Sequence, residues 1–307
     1  MDNVETISVL MCTFREPMEW IKLSLESILK QSYKKIEIIL IVDDPDNEEL
    51  INFLELYASD DKRIRIIINN ENIGLVKSLN KGLHYCSGKY IARMDADDIA
   101  LPTRLEEELN FLVNNDLDIV GCKFESFSDD KILGSRSVPT TINKCNKMLN
   151  YTNCVGHPTW LVKKEVYFEL KGYRNIYGCE DYDFLMRAVL LNYRVACINK
   201  ILLKYRNNKN SISGKNYYLQ RITSMKMQKL YRKKNIMDIN SYNNWFNSKQ
   251  KLEEIEKFFN YDYNKREFLN SNGLKKINYL LKLLNTSYFY EESFSKLCIT
   301  LIMRSEN

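Results

Sequence analysis

Over roughly the first two-thirds of the chain, apolar residues form short continuous runs that alternate with longer stretches where they recur every three or four positions. Ile7 to Cys12 reads as a strand, and Met18 to Gln31, with Ile21, Leu25, Ile28 and Leu29 on one face, as a helix. Ile36 to Val42 is apolar enough to be buried on both faces, as parallel strands are. Asp46 to Tyr57 reads as helix, Ile64 to Ile68 as a third strand, Leu75 to Tyr85 as helix and Tyr90 to Met94 as a fourth strand. Strands separated by helices in this way predict right-handed βαβ units, hence an α/β fold with a mostly parallel sheet flanked by helices. Further on, Leu101 to Asn114 reads as helix, Asp118 to Cys122 as strand and Ile132 to Val138 as less regular chain. Lys144 to Asn150 is a weak helix, and Gly156 to Val162 is a loop entering a strand. Lys164 to Leu170 is a short helix, Gly172 to Asn175 a turn, and Glu180 opens a helix reaching about Asn192. Val195 to Ile198 and Ile201 to Tyr205 read as two strands. From Lys215 the strands stop, leaving helices at Tyr217 to Lys234, Leu252 to Phe259, Leu274 to Leu284 and Ser287 to Met303.

Composition changes this picture little. The 307 residues are 45% hydrophobic and 28% charged, which excludes disorder as the default. Eight scattered cysteines with no C-x-x-C pair argue against zinc and against a disulfide framework, and fit reduced thiols in a cytoplasmic protein. The acidic N-terminus runs directly into a strand, so no signal peptide is expected. The longest apolar runs, Ile38 to Val42 and Leu297 to Met303, fall far short of the ~20 residues that span a bilayer. Charge is more informative. From residue 204 onward there are 20 basic and 9 acidic residues, a balance of +11, whereas residues 1 to 203 hold 25 and 31, a balance of −6. Two regions with different partners are expected.

Ligands of parallel sheets bind beyond the C-terminal strand ends. Here those ends carry Thr13-Phe14-Arg15-Glu16, Asp43-Asp44, Asn69-Asn70-Glu71-Asn72 and Asp95-Ala96-Asp97-Asp98, all polar. Asp95 and Asp97, at i and i+2 of an extended segment, can face one point. Two such carboxylates repel unless a cation or proton lies between them, and oxygen-only ligands select hard cations such as Mg2+ or Mn2+. The competing account is an acidic turn that leads into a helix, with Asp98 near its start. The chain has neither G-x-G-x-x-G after its first strand nor a Walker A loop, which argues against a dinucleotide-dependent dehydrogenase and a P-loop NTPase. Phosphates bound here would need a metal in place of a glycine-rich loop. Glu180-Asp181-Tyr182-Asp183 can be simple dipole-favoured acids at a helix N-terminus, or can hold a general base for an attacking hydroxyl.

In this order, the motifs resemble those of family 2 glycosyltransferases with the GT-A fold. The resemblance rests on Ile7 to Glu16, Ser27 to Tyr33, Ile38 to Asp44, Asn72-Ile73-Gly74-Leu75, Asn80-Lys81-Gly82, Gly88 to Ala92, Asp95-Ala96-Asp97-Asp98 as a D-x-D motif, His157-Pro158-Thr159 and Glu180-Asp181. It covers residues 5 to about 206. It implies a GT-A catalytic domain at 1–206 that binds a nucleotide sugar, followed by a basic helical region at 207–307. By the same resemblance Asp43 contacts uracil, and Thr13 and Glu16 line the nucleotide pocket with Asn72. Asp97 ligates Mn2+ or Mg2+ bridging the donor diphosphate, and Asp95 contacts the ribose or the metal. Asp181 is the base that deprotonates the acceptor, with Glu180 beside it. His157 is either a phosphate or acceptor contact or a loop histidine satisfied by its neighbours. Asp98 is read as a helix-start residue that lends charge.

Two departures stand out. The family's Asp-Asp-Gly-Ser is Asp43-Asp44-Pro45-Asp46 here, a stiffer turn. Ser78-Leu79 stands where many members have Ala-Arg, which leaves Lys77 as a candidate phosphate contact or a solvated helix residue. The implied activity is metal-dependent, inverting transfer from a nucleotide sugar, with a UDP-sugar as the expected donor, to a saccharide or lipid-linked saccharide in bacterial surface polysaccharide synthesis. A catalytically silent sugar-nucleotide-binding or scaffold protein on the same fold is the alternative. The basic tail either packs as a helical appendage or docks on anionic lipid, which would make the protein peripheral on the inner face of the membrane. It shows no nucleic-acid-binding motif, so no nucleic-acid partner is expected.

Overall fold

The computed structural model describes residues 5–128, 131–208 and 216–305. These residues form two compact units. One comprises Met1–Asn146, Cys154–Asn175 and Arg187–Asn208; the other comprises Lys147–Asn153, Ile176–Met186 and Lys209–Asn307. Two short stretches ahead of residue 206 therefore group with the C-terminal helices rather than with the sheet.

The first unit opens with β1 (Ile7–Thr13), α1 (Met18–Leu29), β2 (Ile36–Val42), α2 (Glu48–Asp60), β3 (Ile64–Ile68), α3 (Leu75–Leu83) and β4 (Tyr90–Asp95). Every residue of β1 is buried, the polar Ser8 and Thr13 included, as in a strand covered on both faces. Helix α1 buries Ile21, Ser24, Leu25 and Ile28, one face at helical spacing. Helix α2 starts at Glu48, two residues later than its sequence suggests, because the Asn47 side chain caps it by accepting from the Leu50 amide at 3.1 Å.

Strands β1 to β4 pair in parallel in the order β3-β2-β1-β4. Thr13 lies opposite Val42, and Cys12 opposite Asp95, so the strand ends are level along one edge. The opposite edge is tied by Glu37, which accepts from the Ser8 hydroxyl at 2.5 Å and the Ser87 and Gly88 amides at 2.6 and 3.1 Å. Gly88 is needed there, since a Cβ would lie 2.6 Å from the Thr6 carbonyl oxygen and 2.8 Å from the Ser8 nitrogen.

Next come β5 (Ile99–Ala100), α4 (Arg104–Asn114), β6 (Ile119–Ser128), β7 (Lys131–Ser135), α5 (Ile142–Met148), a 3₁₀ turn at His157–Thr159, β8 (Leu161–Lys163), α6 (Lys164–Glu169), α7 (Glu180–Leu190) and β9 (Val195–Arg206). The sheet continues β4-β8-β6-β9-β5, with β8 antiparallel to both neighbours, β6 and β9 parallel, and β7 on β6. Several expectations are corrected. Strand β6 runs ten residues, and the irregular stretch after it begins as β7. The two strands anticipated between Val195 and Tyr205 are one. Exposed Asn199 and Lys200 mark only a register shift opposite Cys122 to Phe124. Asp98 is not at a helix start, because β5 and Pro102 separate it from α4.

In the second unit, α8 (Tyr217–Tyr231), α9 (Ile239–Phe246), α10 (Lys249–Asn270), α11 (Gly273–Leu284) and α12 (Ser287–Arg304) surround a small core of Ile222, Met225, Phe258, Tyr261 and Leu283. Leu274, Ile277 and Leu281 of α11, and Leu297 and Leu301 of α12, stay exposed. No described helix is long and apolar enough to cross a membrane.

Candidate active site

The loop after β1 turns sharply, with Arg15 in the left-handed region at φ 63°. The turn folds Glu16 back so that its carboxylate accepts from the Thr13 hydroxyl at 2.7 Å and the Phe14 amide at 2.6 Å. At the end of β2, buried Asp43 accepts from the Asn69 side chain at 2.6 Å and from the Ile73 and Gly74 amides at 2.9 Å each. Both of its oxygens are thereby engaged in shaping the loop that leads into α3. Asn72 shapes the same loop, its side chain accepting from the Gly74 amide at 3.1 Å, and Gly74 itself has φ 82°. The adjacent Asp44 side chain makes a 3.3 Å bridge to Arg15 among the described residues. Lys77 is exposed on α3. The lysine that does reach this loop is Lys81, which donates to the Asn69 side chain at 2.8 Å.

Beyond β4, Asp95, Asp97 and Asp98 each place a carboxylate oxygen within 4.8 Å of the others. Asp98 is fully buried; its Oδ1 accepts from the Arg206 amide at 2.8 Å, while its Oδ2 has no hydrogen-bond partner among the described residues. Burial first, and then the charge of Asp95 and Glu16, pushes the Asp97 carboxyl up to about 7. Asp98 is also raised well above the usual range, by burial and then by Asp95 and Asp97. A buried, partnerless carboxylate oxygen among three crowded acids is the donor set that a hard divalent cation completes. The residues therefore fit Mn2+ or Mg2+.

Three residues that the sequence did not single out hold this cluster. Buried Arg93 donates to the Asp95 carboxylate and to the Met94 carbonyl. Buried Arg104 donates to the Arg93 carbonyl at 2.8 Å and to both oxygens of buried Glu108 at 3.1 and 3.2 Å. Arg206, the last residue of β9, donates its Nε to the Asp97 carbonyl at 2.8 Å. Its guanidinium lies 4.5 Å from the ring centres of both Trp20 and Phe127. A lone basic residue closing a strand carries no pattern that would have marked it.

His157 faces inward. Its Nε2 is 2.8 Å from the Tyr173 hydroxyl, and its ring packs edge-on to Trp160 at 4.7 Å. Burial, then the Arg93 charge, lowers it well below 6.5, so it is neutral near pH 7.

In the second unit, Asp181 sits in the first turn of α7. Its Oδ2 accepts from the Asn153 side chain at 2.7 Å and its Oδ1 from the Tyr182 amide at 2.6 Å. The segment that carries Asn153 is pinned, because the Tyr182 hydroxyl donates to the Leu149 carbonyl at 2.7 Å and Arg232 to that of Asn150 at 3.1 Å. Glu180 is part-buried in the same turn. The structure thus gathers Thr13, Glu16, Asp43 and Asn72, with the Asp95–Asp97 pair, along one sheet edge of the first unit. Glu180 and Asp181 belong to the second unit, as does Asn153, which sequence reasoning did not select.

Known proteins share this plan. Over 220 residues, 70% of this chain and 85% of its relative, the sequence is 33% identical to the O-antigen biosynthesis glycosyltransferase WbnJ of Escherichia coli. The S. aureus TarS 1–349 complex with UDP-GlcNAc superposes with a TM-score of 0.59 at 17% identity, covering 77% of this chain and 69% of that one. The mannosyltransferase PcManGT of Pyrobaculum calidifontis, in complex with GDP-Man and Mn2+, superposes with a TM-score of 0.60 at 12% identity, covering 100% of this chain and 89% of that one. The two structural likenesses are of fold. Residues 8–169 match the model of glycosyl transferase family 2, and the chain belongs to that family of glycosyltransferases.

Proposed function

We propose that the protein is a metal-dependent, inverting glycosyltransferase. It moves a sugar from a nucleotide-sugar donor, a UDP-sugar first among candidates, to a hydroxyl of a saccharide acceptor in surface polysaccharide synthesis. The observation that carries the reading is the crowded Asp95-Asp97-Asp98 cluster with its buried, partnerless oxygen at the end of a parallel sheet. The O-antigen relative and the sugar-nucleotide complexes of the fold neighbours support the donor and acceptor classes. Asp95 and Asp97 hold Mn2+ or Mg2+, and Asp98 lends charge to the site. When bound, the ion supplies Lewis-acid neutralisation of the departing diphosphate.

The chain's own residues do the rest. Thr13, Glu16 and Asn72 fix the walls of the nucleotide pocket, and Asp43 acts through the loop it organises. Asp181 removes the proton from the acceptor hydroxyl; the freed oxygen bonds to the anomeric carbon as the bond to the diphosphate breaks. A single displacement inverts the configuration at that carbon. Asn153 keeps the Asp181 carboxylate oriented by donating to it. Carrying the acceptor on a lipid at the inner membrane face would suit the basic second unit.

The test is a panel of nucleotide sugars assayed for transfer and for thermal stabilisation, with Mn2+ and with excess chelator. Asp181→Asn is expected to retain donor stabilisation and to lose transfer by about a hundredfold or more. Transfer at the parent rate in that variant would refute the base assignment, and stabilisation by UDP that survives chelation unchanged would refute the metal site.

A further inference from the structure

Helix α1 packs against the segment that carries the acidic cluster, and one stripe of its inner side is polar where a core face is ordinarily apolar. Ser24 and Gln31 are fully buried, Ser27 is part-buried, and Trp20 precedes them at the same three- or four-residue spacing. Each of the three polar residues reaches a backbone group further along that segment. The Ser24 hydroxyl donates to the Asp95 carbonyl at 2.8 Å. The Ser27 hydroxyl accepts from the Ala100 amide at 3.0 Å. Gln31, just past the helix end, donates to the Leu101 carbonyl at 2.8 Å and accepts from the Leu105 amide at 3.1 Å. Trp20 stacks on Arg206, whose Nε holds the Asp97 carbonyl. A buried serine or glutamine costs free energy that an apolar side chain would not, unless its hydrogen bonds are made. Among the described residues, these bonds go to the backbone of 95–105 or to α1 itself. The stripe therefore specifies the course of the acid-bearing segment rather than adding to the core.

The Asp95 carbonyl is the pivot of this arrangement. It also accepts from the Asp98 amide at 3.4 Å, which closes the turn whose three carboxylates place oxygens within 4.8 Å of one another. Arg93 holds the side chain of Asp95, and Ser24 holds its backbone. Ion size enters through rigidity. Mg2+ demands near-ideal octahedral geometry with ligands at about 2.0–2.1 Å, whereas Ca2+ takes more oxygens at about 2.3–2.6 Å in flexible arrangements. Carboxylates on a turn that cannot spread favour the smaller ion, and on a turn free to widen they lose that preference. We infer that the polar stripe of α1, Ser24 above all, positions the acidic cluster and thereby sets its preference for Mg2+ over Ca2+. This inference rests on the proposed metal reading of the cluster.

The test reads binding and not transfer. On the full-length protein, the ion concentration that gives half of the UDP-dependent thermal stabilisation is measured with Mg2+ and, separately, with Ca2+. The parent is expected to need less Mg2+ than Ca2+. Ser24→Ala removes the bond to Asp95 and is expected to need about tenfold more Mg2+, with the Ca2+ requirement near that of the parent. Gln31→Met removes both bonds to the segment at similar volume and should move the ratio in the same direction. Ile28→Val softens the apolar side of the same helix and should leave the ratio unchanged, which separates positioning from lost stability. The unfolding midpoint without UDP reports that each variant is folded. A parent stabilised by UDP equally with and without an ion, or not at all, refutes the metal reading and this inference with it. A parent that needs the two ions equally, a Ser24→Ala ratio equal to that of the parent, or an equal change in Ile28→Val overturns this inference alone.

Discussion

Arg93 and Arg104 are among the largest fully buried side chains of the molecule, and each holds part of the acidic cluster in place. Arg104 bridges Glu108 to the Arg93 carbonyl, and Arg93 in turn grips Asp95. Burial pushes the Glu108 carboxyl up to about 7 even with Arg104 against it. Removing the cation leaves that acid buried and unmatched. Arg104→Ala is therefore expected to cost about 3–5 kcal/mol in denaturant unfolding, whereas changing Arg104 and Glu108 together to Met and Leu should cost far less. Arg206 acts differently, reaching the loop through its backbone amide and its Nε. Arg206→Ala keeps the first bond and loses the second along with the stacking on Trp20 and Phe127. Mn2+ affinity is expected to fall about tenfold, read by calorimetry, with Lys recovering only part of it because it lacks the planar fork. Of these residues the sequence marked the aspartates alone. Arg93, Arg104 and Arg206 act on groups that only the folded sheet brings near, and no local spacing encodes that.

Among the elements, legibility follows burial. The strands β1, β2 and β4 are buried along almost their whole length and read as mostly apolar runs, so their place in the sequence was plain. Strand β9 was read as two, because exposed Asn199 and Lys200 look like a break; they are extra residues of β9 between the partners of Cys122 and Lys123. Strand β5 has two residues, too few to show any period. Helix α9 was not read from the sequence, although Asp238 caps it by accepting from the Ser241 amide at 2.8 Å and Ile239, Tyr242 and Phe246 recur at helical spacing; it is only eight residues long. Asp43 shows how far a motif carries: its position was legible, but the three donors that engage it were not. Gly88 tests the close approach at the far edge of the sheet. Gly88→Ala puts a methyl group against the Thr6 and Ser8 backbone and is expected to lower stability by about 2 kcal/mol or more, measured as a shifted denaturant midpoint at unchanged slope.

For the whole molecule, the two units should respond to acid differently. In the helical unit, burial alone raises the Glu292 carboxyl, but hydrogen bonds from Lys265 and Tyr261 outweigh it and bring it down to about 2. Its folded value lies below the unfolded one of 4.5, so its stabilisation is complete above that pH and is lost as pH falls toward 2. Glu292→Gln is expected to remove about 2 kcal/mol at pH 7 and to flatten the acid limb between those values, followed by circular dichroism. His157, in the sheet unit, responds nearer neutrality. It is held neutral when folded and takes up a proton when unfolded, so its share of stability is present above pH 6.5 and fades as pH drops below that. His157→Gln should thus narrow the loss of stability between pH 6.5 and 5. The fold class was legible from the alternation of strands and helices. The grouping of 147–153 and 176–186 with the helical unit was not, because it shows only in long-range contacts such as Arg232 to the Asn150 carbonyl and Gln220 to the Gly178 carbonyl.

The hold of Arg206 on Asp97 and Asp98 also sets an order of events during synthesis. The amide that satisfies Asp98 lies 108 residues downstream, which a ribosome adds in roughly 5 to 20 s. Throughout that interval β1 to β4 can pair, while the three acids at their end lack the strand that organises them. A nascent chain stalled short of residue 206 should show a protected sheet and no Mn2+ binding, and one released beyond it should add Mn2+ binding to the protected sheet.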